Sequence, residues 1–317
     1  MLKILVSNIA FGEAYPEALN ILGKQAEIYL NEKSDRYSEE EFIDLIKDKD
    51  ILIAGTEKIT KPIIQAAKKL KLIARVGSGI DNIDLEAANK KNISICYTPD
   101  APSISIPEFT LALMLNLIKG ISFSDRNMHA NIWHRTFGRN LSEFVIGIFG
   151  CGKIGKELVK LLRTMYKDIK LYFYDPYIES IEGAEKVNFE QLIKLSDIVS
   201  IHAPLTKDTQ NLFDRTVLFR FKKGTYLINT ARGSIVDEEA LYEALQQKHL
   251  AGAALDVFSV EPYYGALNNL DNCILTSHIG SMNTQVRALM EQQVIEDVMN
   301  FIHSKPMLRV LPNFNFV

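Results

Sequence analysis

The sequence has little of what would place it outside the ordinary run of folded enzymes and binding proteins. It has three cysteines, Cys96, Cys151 and Cys273, an odd and scattered set that makes neither a disulfide framework nor a metal-spaced pair, so a reducing, cytoplasmic setting is expected. No apolar stretch reaches the roughly 18 residues that a membrane span needs. The opening MLKILVSNIA reads as a strand rather than as the apolar core of a signal peptide, so neither secretion nor membrane insertion is expected. Neither sign of charge dominates: 36 Lys and Arg stand against 39 Asp and Glu, a net charge of −3, which leaves no global positive field for nucleic acid or an anionic membrane. Low-complexity tracts, charge blocks and repeats are absent, which excludes solenoids and disordered tails. None of the six histidines has ligand spacing with another, so no metal site is expected.

What is present is an ordinary amount of core. With 317 residues, 47% of them hydrophobic, the chain is too long for one typical domain and predicts two. Short apolar runs bounded by turn residues alternate with helix-period segments, the pattern of βαβ units and parallel sheets, so the fold class is α/β with two doubly wound sheets. The first series of strands is Leu2–Val6, Glu27–Leu30, Ile51–Ala54, Leu72–Arg75 and Ile93–Cys96, with helices such as Glu39–Lys47 and Lys61–Lys69 between. The second runs through Val145–Phe149, Lys170–Tyr174, Ile198–Ile201, Tyr226–Asn229, Gly252–Leu255 and Ile274–Thr276. Between them a proline-bearing stretch, Tyr97–Ile106, precedes a long apolar helix that Pro107 is expected to open, since proline is tolerated in a first turn. A domain crossing is expected there. The last periodic segment, Asn283–Ser304, places Val286, Leu289, Met290, Val294 and Val298 on one face and suits either sheet.

The most informative local signal is VIGIFGCGKIG. A strand runs into Gly150-Cys151-Gly152-Lys153-Ile154-Gly155 and then into a helix, the context that a dinucleotide-binding turn requires. In such a turn Gly150 would make the tight bend, Gly152 would admit a pyrophosphate to the backbone, Gly155 would let helix and strand pack, and helix N–H groups would face the anion. Twenty residues on, the next strand ends at Asp175, placed to accept from ribose hydroxyls. A 2′-phosphate there would meet a carboxylate with no adjacent Lys or Arg, which favours NAD over NADP. Cys151 reads as a small space-filler.

Three further strand ends carry polar residues: INTARGSIVD with Arg232, ALDVFSVEP with Asp256 and Glu261, and ILTSHIGS with His278. Strand C-termini are where doubly wound sheets keep their sites. Arg232 offers a planar fork for a carboxylate, and His278 is a proton donor if Glu261 holds its imidazolium. An acid, an anion clamp and a nicotinamide together amount to carbonyl reduction. His202, in SIHAPLT after a strand, could line the adenine end of a dinucleotide cleft.

These motifs, with LKLIARVGSGIDNIDLEAA, PEFTLALML, YDP and SIHAPLTKDTQNLF in the same order, resemble the D-2-hydroxyacid dehydrogenase family, which includes glyoxylate/hydroxypyruvate reductases, D-lactate dehydrogenases and D-3-phosphoglycerate dehydrogenases. The resemblance spans nearly the whole chain. It implies a catalytic set of Arg232, Glu261 and His278, with Arg232 on the substrate carboxylate and Glu261 as partner of the general acid/base His278. It implies NAD held by Gly150, Gly152, Lys153, Ile154 and Gly155 at the pyrophosphate and by Asp175 at the ribose, with His202 and Pro204 alongside. Thr230, Ala231, Arg232, Asp256, His278 and Gly280 would surround the nicotinamide end, and Thr110 of the connecting helix is a further carry-over. Backbone amides around Ser78 and Gly79, where glycine permits close approach, would help hold the substrate carboxylate.

The resemblance further implies a flavodoxin-like, discontinuous substrate domain of residues 1–98 and 285–317, a Rossmann NAD-binding domain of residues 99–284, and a homodimer joined through the latter. Trp133 matches a tryptophan near that interface. Two departures bear on substrate. Phosphoglycerate dehydrogenases carry an Arg where Ala54 or Gly55 stands here, which weakens a phosphate clamp, and Asp100 adds a negative charge in the stretch Thr98–Pro102. The expected activity is NAD-dependent interconversion of 2-oxo and D-2-hydroxy acids, with 3-phosphoglycerate oxidation as a specific variant and a non-catalytic NAD(H)-sensing module as the alternative. Formate dehydrogenases of similar sequence pair the histidine with Gln, so Glu261 points away from them.

Overall fold

In the computed structural model, which describes residues 1–33 and 35–311, the chain divides into two compact units, Met1–Pro102 with Met282–Val317, and Ser103–Ser281. The final residues of the expected segment 285–317, from 312 onward, lie outside the described residues.

The first unit is built on β1 (Leu2–Val6), β2 (Ala26–Leu30), β3 (Ile51–Ala54), β4 (Leu72–Arg75) and β5 (Ser94–Tyr97), all parallel, in the order β2-β1-β3-β4-β5. This is the flavodoxin-like order, and its topological switch point lies between β1 and β3. Strands β3 and β4 are buried along their whole length, as expected where helices cover both faces of a parallel sheet. Alternate residues serve opposite faces. Ile4, Val6, Ile53 and Ala74 pack on Val286, Met290, Val294 and Val298 of the helix Thr284–Ile302. Leu5, Leu52 and Ile73 pack on Phe42, Ile46, Ile63 and Ala88 from the other side. The last helix, whose apolar face suits either sheet and which the resemblance groups with the first, packs on the first.

The second unit holds β6 (Val145–Phe149), β7 (Lys170–Tyr174), β8 (Glu185–Lys186), β9 (Ile198–Ile201), β10 (Tyr226–Asn229), β11 (Gly252–Leu255) and β12 (Cys273–Leu275), parallel throughout, in the order β12-β11-β10-β9-β6-β7-β8. The switch point is between β6 and β9. Ile146, Ile148, Leu171 and Phe173 face Met114, Leu158, Val159 and Leu162, while Val199, Ile201, Leu227 and Leu255 face Leu192, Ile193, Leu241 and Leu245.

The structure corrects the sequence reading at several helix and strand ends. The connecting helix starts at Pro102 and runs to Lys119, so Pro107 lies inside it rather than opening it. An interior proline forfeits one main-chain bond at a cost of about 3 kcal/mol, which the burial of Leu111, Leu113, Met114 and Ile118 offsets. Gly120, at φ 66°, then ends the helix and admits a second one, Ile121–His129, which the sequence reading did not anticipate. The helix expected to reach Lys69 ends at Ala66. Strand β2 begins one residue before the expected Glu27, β5 runs over Ser94–Tyr97 and β12 over Cys273–Leu275. No single helix among the described residues is long and apolar enough to cross a membrane.

Candidate dinucleotide and acid–base site

The turn after β6 is built by close packing. Gly150 has φ +88°, and a Cβ there would stand 2.6 Å from the Ala203 amide nitrogen; a Cβ on Gly155 would stand 2.3 Å from the Gly150 carbonyl oxygen. The two glycines thus let the β6 turn close against the segment after β9 and against its own helix. Gly152 differs: a Cβ there would meet nothing within 4 Å. It is also the N-cap of the helix Lys153–Met165, which receives no side-chain cap, whereas Ser38, Asp84, Asn188, Asp237 and Asn283 each cap their helices through a side-chain oxygen. The amides at the start of a helix without a side-chain cap form a cradle for an anion, so the residues present fit the pyrophosphate of a dinucleotide.

Asp175, at the end of β7, is 9% exposed and is held against this turn. Oδ2 accepts from the Cys151 amide at 2.8 Å, and Oδ1 from the Tyr177 and Ile178 amides at 2.9 and 3.2 Å. A carboxylate accepts about four hydrogen bonds, so capacity remains for a ribose hydroxyl. Burial, with the Asp175 carboxylate beside it, pushes the Cys151 thiol up to about 12, in keeping with a space-filling role. His202 follows β9; its Nε2 meets Ser200 Oγ at 2.8 Å, and desolvation lowers its pKa to about 4, so it stands neutral. The Pro204 carbonyl accepts from Thr209 Oγ1 at 2.7 Å, which closes the loop beyond it.

At the ends of β10, β11 and β12 the polar residues form one connected set. Asp256 is 1% exposed and accepts from Thr276 Oγ1 at 2.5 Å, the Ile279 amide at 2.9 Å and the Gly280 amide at 2.8 Å. These bonds grip both residues after His278, which itself sits at φ 57°, a left-handed conformation that a histidine adopts only when its surroundings hold it. The His278 ring turns Nδ1 to the carboxylate of Glu261, 3.0 Å from Oε2 and 3.1 Å from Oε1, with side chains 29% and 19% exposed. Glu261 Oε1 also accepts from the Phe258 amide at 3.2 Å. Nδ1 is thereby occupied, and Nε2 is the ring nitrogen left for other chemistry.

Arg232 is half-buried after β10, its Nη1 on the Ala231 carbonyl at 2.6 Å. The bend that carries it is pinned by Asn229, fully buried, whose side chain accepts from the Ala231 amide at 3.0 Å and donates to the Arg232 carbonyl at 2.8 Å. Thr230 and Thr110 meet through their hydroxyls at 3.2 Å, which brings the connecting helix to this strand end, and Gly280 is tied to the same helix by Ser105 Oγ at 2.9 Å. Ser78 and Gly79 lie in the first unit, in the bend after β4, half-buried. The sequence reading missed Asn229, Thr276 and Ser105, although the first two stand inside motifs it quoted. The signal available for Asn229 and Thr276 was a polar side chain at the end of an otherwise apolar strand. Among the described residues no group of three or more His, Cys, Asp or Glu side chains could hold a metal ion.

A glycine turn at a helix start and a carboxylate-held histidine thus stand on one doubly wound parallel sheet, and comparison with known proteins places that sheet in a family. Residues 111–280 match the family model for the D-isomer specific 2-hydroxyacid dehydrogenase, NAD binding domain. The chain is 36% identical over 309 residues to a D-3-phosphoglycerate dehydrogenase of Methanocaldococcus jannaschii, covering 94% of this chain and 57% of that protein. It is 33% identical over 290 residues to a hydroxypyruvate reductase of Thermotoga maritima, covering 89% and 94%. Among solved structures it resembles an NAD-dependent formate dehydrogenase from Staphylococcus aureus in complex with NAD, with TM-score 0.88, 27% identity and coverage of 98% and 99%. The chain belongs to the D-isomer-specific 2-hydroxyacid dehydrogenase family and carries that family's NAD-binding domain. It spans only about half the length of two curated phosphoglycerate dehydrogenases it matches, 57% and 51%.

Proposed function

We propose that this protein reduces the C2 carbonyl of a small 2-oxo acid and, in reverse, oxidises the D-2-hydroxy acid, with Ser103–Ser281 binding NAD and the other unit binding the acid. The observation that carries the reading is the His278–Glu261 contact at 3.0 Å on the family's NAD-binding domain. Bound NADH supplies a hydride to the substrate carbon. Arg232 holds the substrate carboxylate through its guanidinium, with the amides of Ser78 and Gly79 on the same group. His278 donates a proton from Nε2 to the carbonyl oxygen in reduction and takes it back in oxidation, while Glu261 on Nδ1 fixes the ring and balances the imidazolium. Gly150, Gly152, Lys153, Ile154 and Gly155 cradle the pyrophosphate. Asp175 accepts from the ribose and repels a 2′-phosphate, and Thr110, His202, Pro204, Thr230, Ala231 and Gly280 line the rest of the cofactor's path. Asp256 acts there by holding the loop of His278.

The setting is cytoplasmic and the assembly a homodimer through the NAD-binding unit, whose surface carries Trp133 at 80% exposure and the fully exposed Phe137. Light scattering checks the dimer. The reaction is tested by initial rates on glyoxylate, hydroxypyruvate, pyruvate and 3-phosphohydroxypyruvate with NADH and NADPH, for the wild type and His278→Ala. The variant is expected to lose about 10³-fold in kcat while binding NADH normally, as befits a group acting in the transition state. Unchanged turnover, or a strong preference for NADPH, overturns the assignment.

A further inference from the structure

The switch point of the first unit carries chemistry that the reaction above does not use. Ser7 and Asn8 follow β1, Gly55 and Glu57 follow β3, and the order β2-β1-β3-β4-β5 makes this junction the place where a doubly wound sheet binds ligands. Glu57 is 8% exposed. Its Oε1 accepts from Ser7 Oγ and from the Gly55 amide at 2.8 Å. Its Oε2 and the Asn8 amide nitrogen both reach Gly55, where a Cβ would stand 2.8 and 2.6 Å from them. The loop is rigid: Asn82 Nδ2 donates to the Gly55 and Glu57 carbonyls at 3.1 and 2.7 Å.

No described ion pair involves Glu57. Two cations stand nearby, Arg287, bound to Glu291 at 2.8 Å and to Asn8 Oδ1, and Arg36, whose Nη2 donates to Thr56 Oγ1 at 2.8 Å. Arg75 lies beneath Gly77 with its Nη1 on the Val76 carbonyl. A negative charge is therefore held at the switch point by a hydroxyl and an amide, without a paired cation. The bend carrying Ser78 and Gly79 follows β4, the neighbour of β3 in the sheet, and adjacent strands are about 4.8 Å apart. A small acid anchored by those amides would thus sit on the strand end next to the one that carries Glu57.

We infer that Glu57 is a specificity-determining residue that rejects acids bearing a second anionic group, so that the substrate is a 2-oxo acid whose far end is uncharged and offers a hydroxyl. The inference rests on the reading of the reaction given above. It is tested by the ratio of kcat/KM for hydroxypyruvate to that for 3-phosphohydroxypyruvate, two acids that differ in far-end charge. The wild type is expected to favour hydroxypyruvate by about tenfold or more, Glu57→Gln and Glu57→Thr to lower that ratio by about tenfold through KM of the phosphorylated acid, and Glu57→Asp to keep it. Thr retains an acceptor for the Gly55 amide, and the wild-type ratio stands as a test that needs no variant. A wild type that uses the phosphorylated acid equally well, or variants that change both acids alike, overturns the inference. Calorimetric titration of D-glycerate and 3-phospho-D-glycerate into the NADH-loaded protein gives the same comparison from binding. Should neither acid be turned over, the proposed reaction fails, while the binding ratio still decides the role of Glu57.

Discussion

The two units share an architecture but settle their buried acids by different means. In the NAD-binding unit the buried carboxylates, Asp175 and Asp256, are held by backbone amides: three for Asp175, and two with a threonine hydroxyl for Asp256. In the other unit Glu291 and Asp297, at 0% and 1% exposure, each take one amide, of Gly12 at 3.0 Å and Leu308 at 2.6 Å, but are also paired with arginines, Arg287 at 2.8 Å and Arg309 at 2.9 Å. An arginine neutralises the charge and ties two elements together, whereas amides fix a carboxylate in place and leave its charge in force. The acids held by amides and hydroxyls alone stand at strand ends, where the proposed reaction places its ligand and the loop of His278, and the acids paired with arginine lie along the helix Thr284–Ile302. Glu57 is the exception in its unit. It is held in the manner of Asp175 and Asp256, and that is a reason to assign it to ligand selection.

The contrast can be broken, most forcefully at Arg309. Arg309→Met leaves Asp297 with only the Leu308 amide, at 2.6 Å. Removing one partner of a buried pair costs about 3–5 kcal/mol, so urea unfolding is expected to show a loss near the lower figure, with kcat of the folded fraction unchanged. A loss of activity without loss of stability would falsify the structural role given to the arginine-held acids. The NAD-binding unit has a pH test of comparable size in His202. Its pKa is near 4 when folded and near 6.5 ordinarily, so as pH falls the unfolded chain takes up the proton first. The associated stability is complete above about pH 6.5 and drains away between there and pH 4, by up to about 3 kcal/mol. Melting curves across that range check it, and His202→Asn should flatten the dependence.

Next comes Asp256→Ala. Freed from both amides, the loop of His278 should relax from its left-handed turn, and misplacement of a catalytic group by about 1 Å costs about 10²-fold in rate. The expected result is that loss in kcat with a smaller shift in melting temperature than Arg309→Met produces. A purely structural Asp256 would reverse the two. The smallest effect is at Gly152, where a methyl group meets nothing in the protein. Gly152→Ala should leave the melting temperature where it is and weaken NADH about tenfold, or about 1.4 kcal/mol, by fluorescence titration. Full affinity in this variant would show that no ligand approaches the turn there.

The parts legible in the sequence are those with a local cause. Strands such as Ile51–Ala54 and Val145–Phe149 declare themselves because a strand buried on both faces must be apolar throughout. The glycine turn is readable because Gly150 and Gly155 meet steric demands from atoms a few residues away or from the next strand. The start of the connecting helix was missed because two prolines, Pro102 and Pro107, both suit a first turn. Only the packing of the residues between them selects the earlier one. Glu57 was invisible for a related reason. In GTEK it reads as one more exposed loop acid, and its partner Ser7 stands 50 residues away.

The sequence by itself therefore determined the α/β class, the order of the strands along the chain, the tight glycine turn after β6 and the polar residue types at the strand ends, because periodicity and sterics act over a few residues. Tertiary structure alone decided that His278 takes a left-handed backbone conformation, that Ser7 and Gly55 hold Glu57, and that Asn8 and Gly12 meet Arg287 and Glu291 across 279 residues of chain. Whether a buried acid gains a guanidinium besides its amides depends on which distant segments the core brings together, and no spacing within the sequence records that.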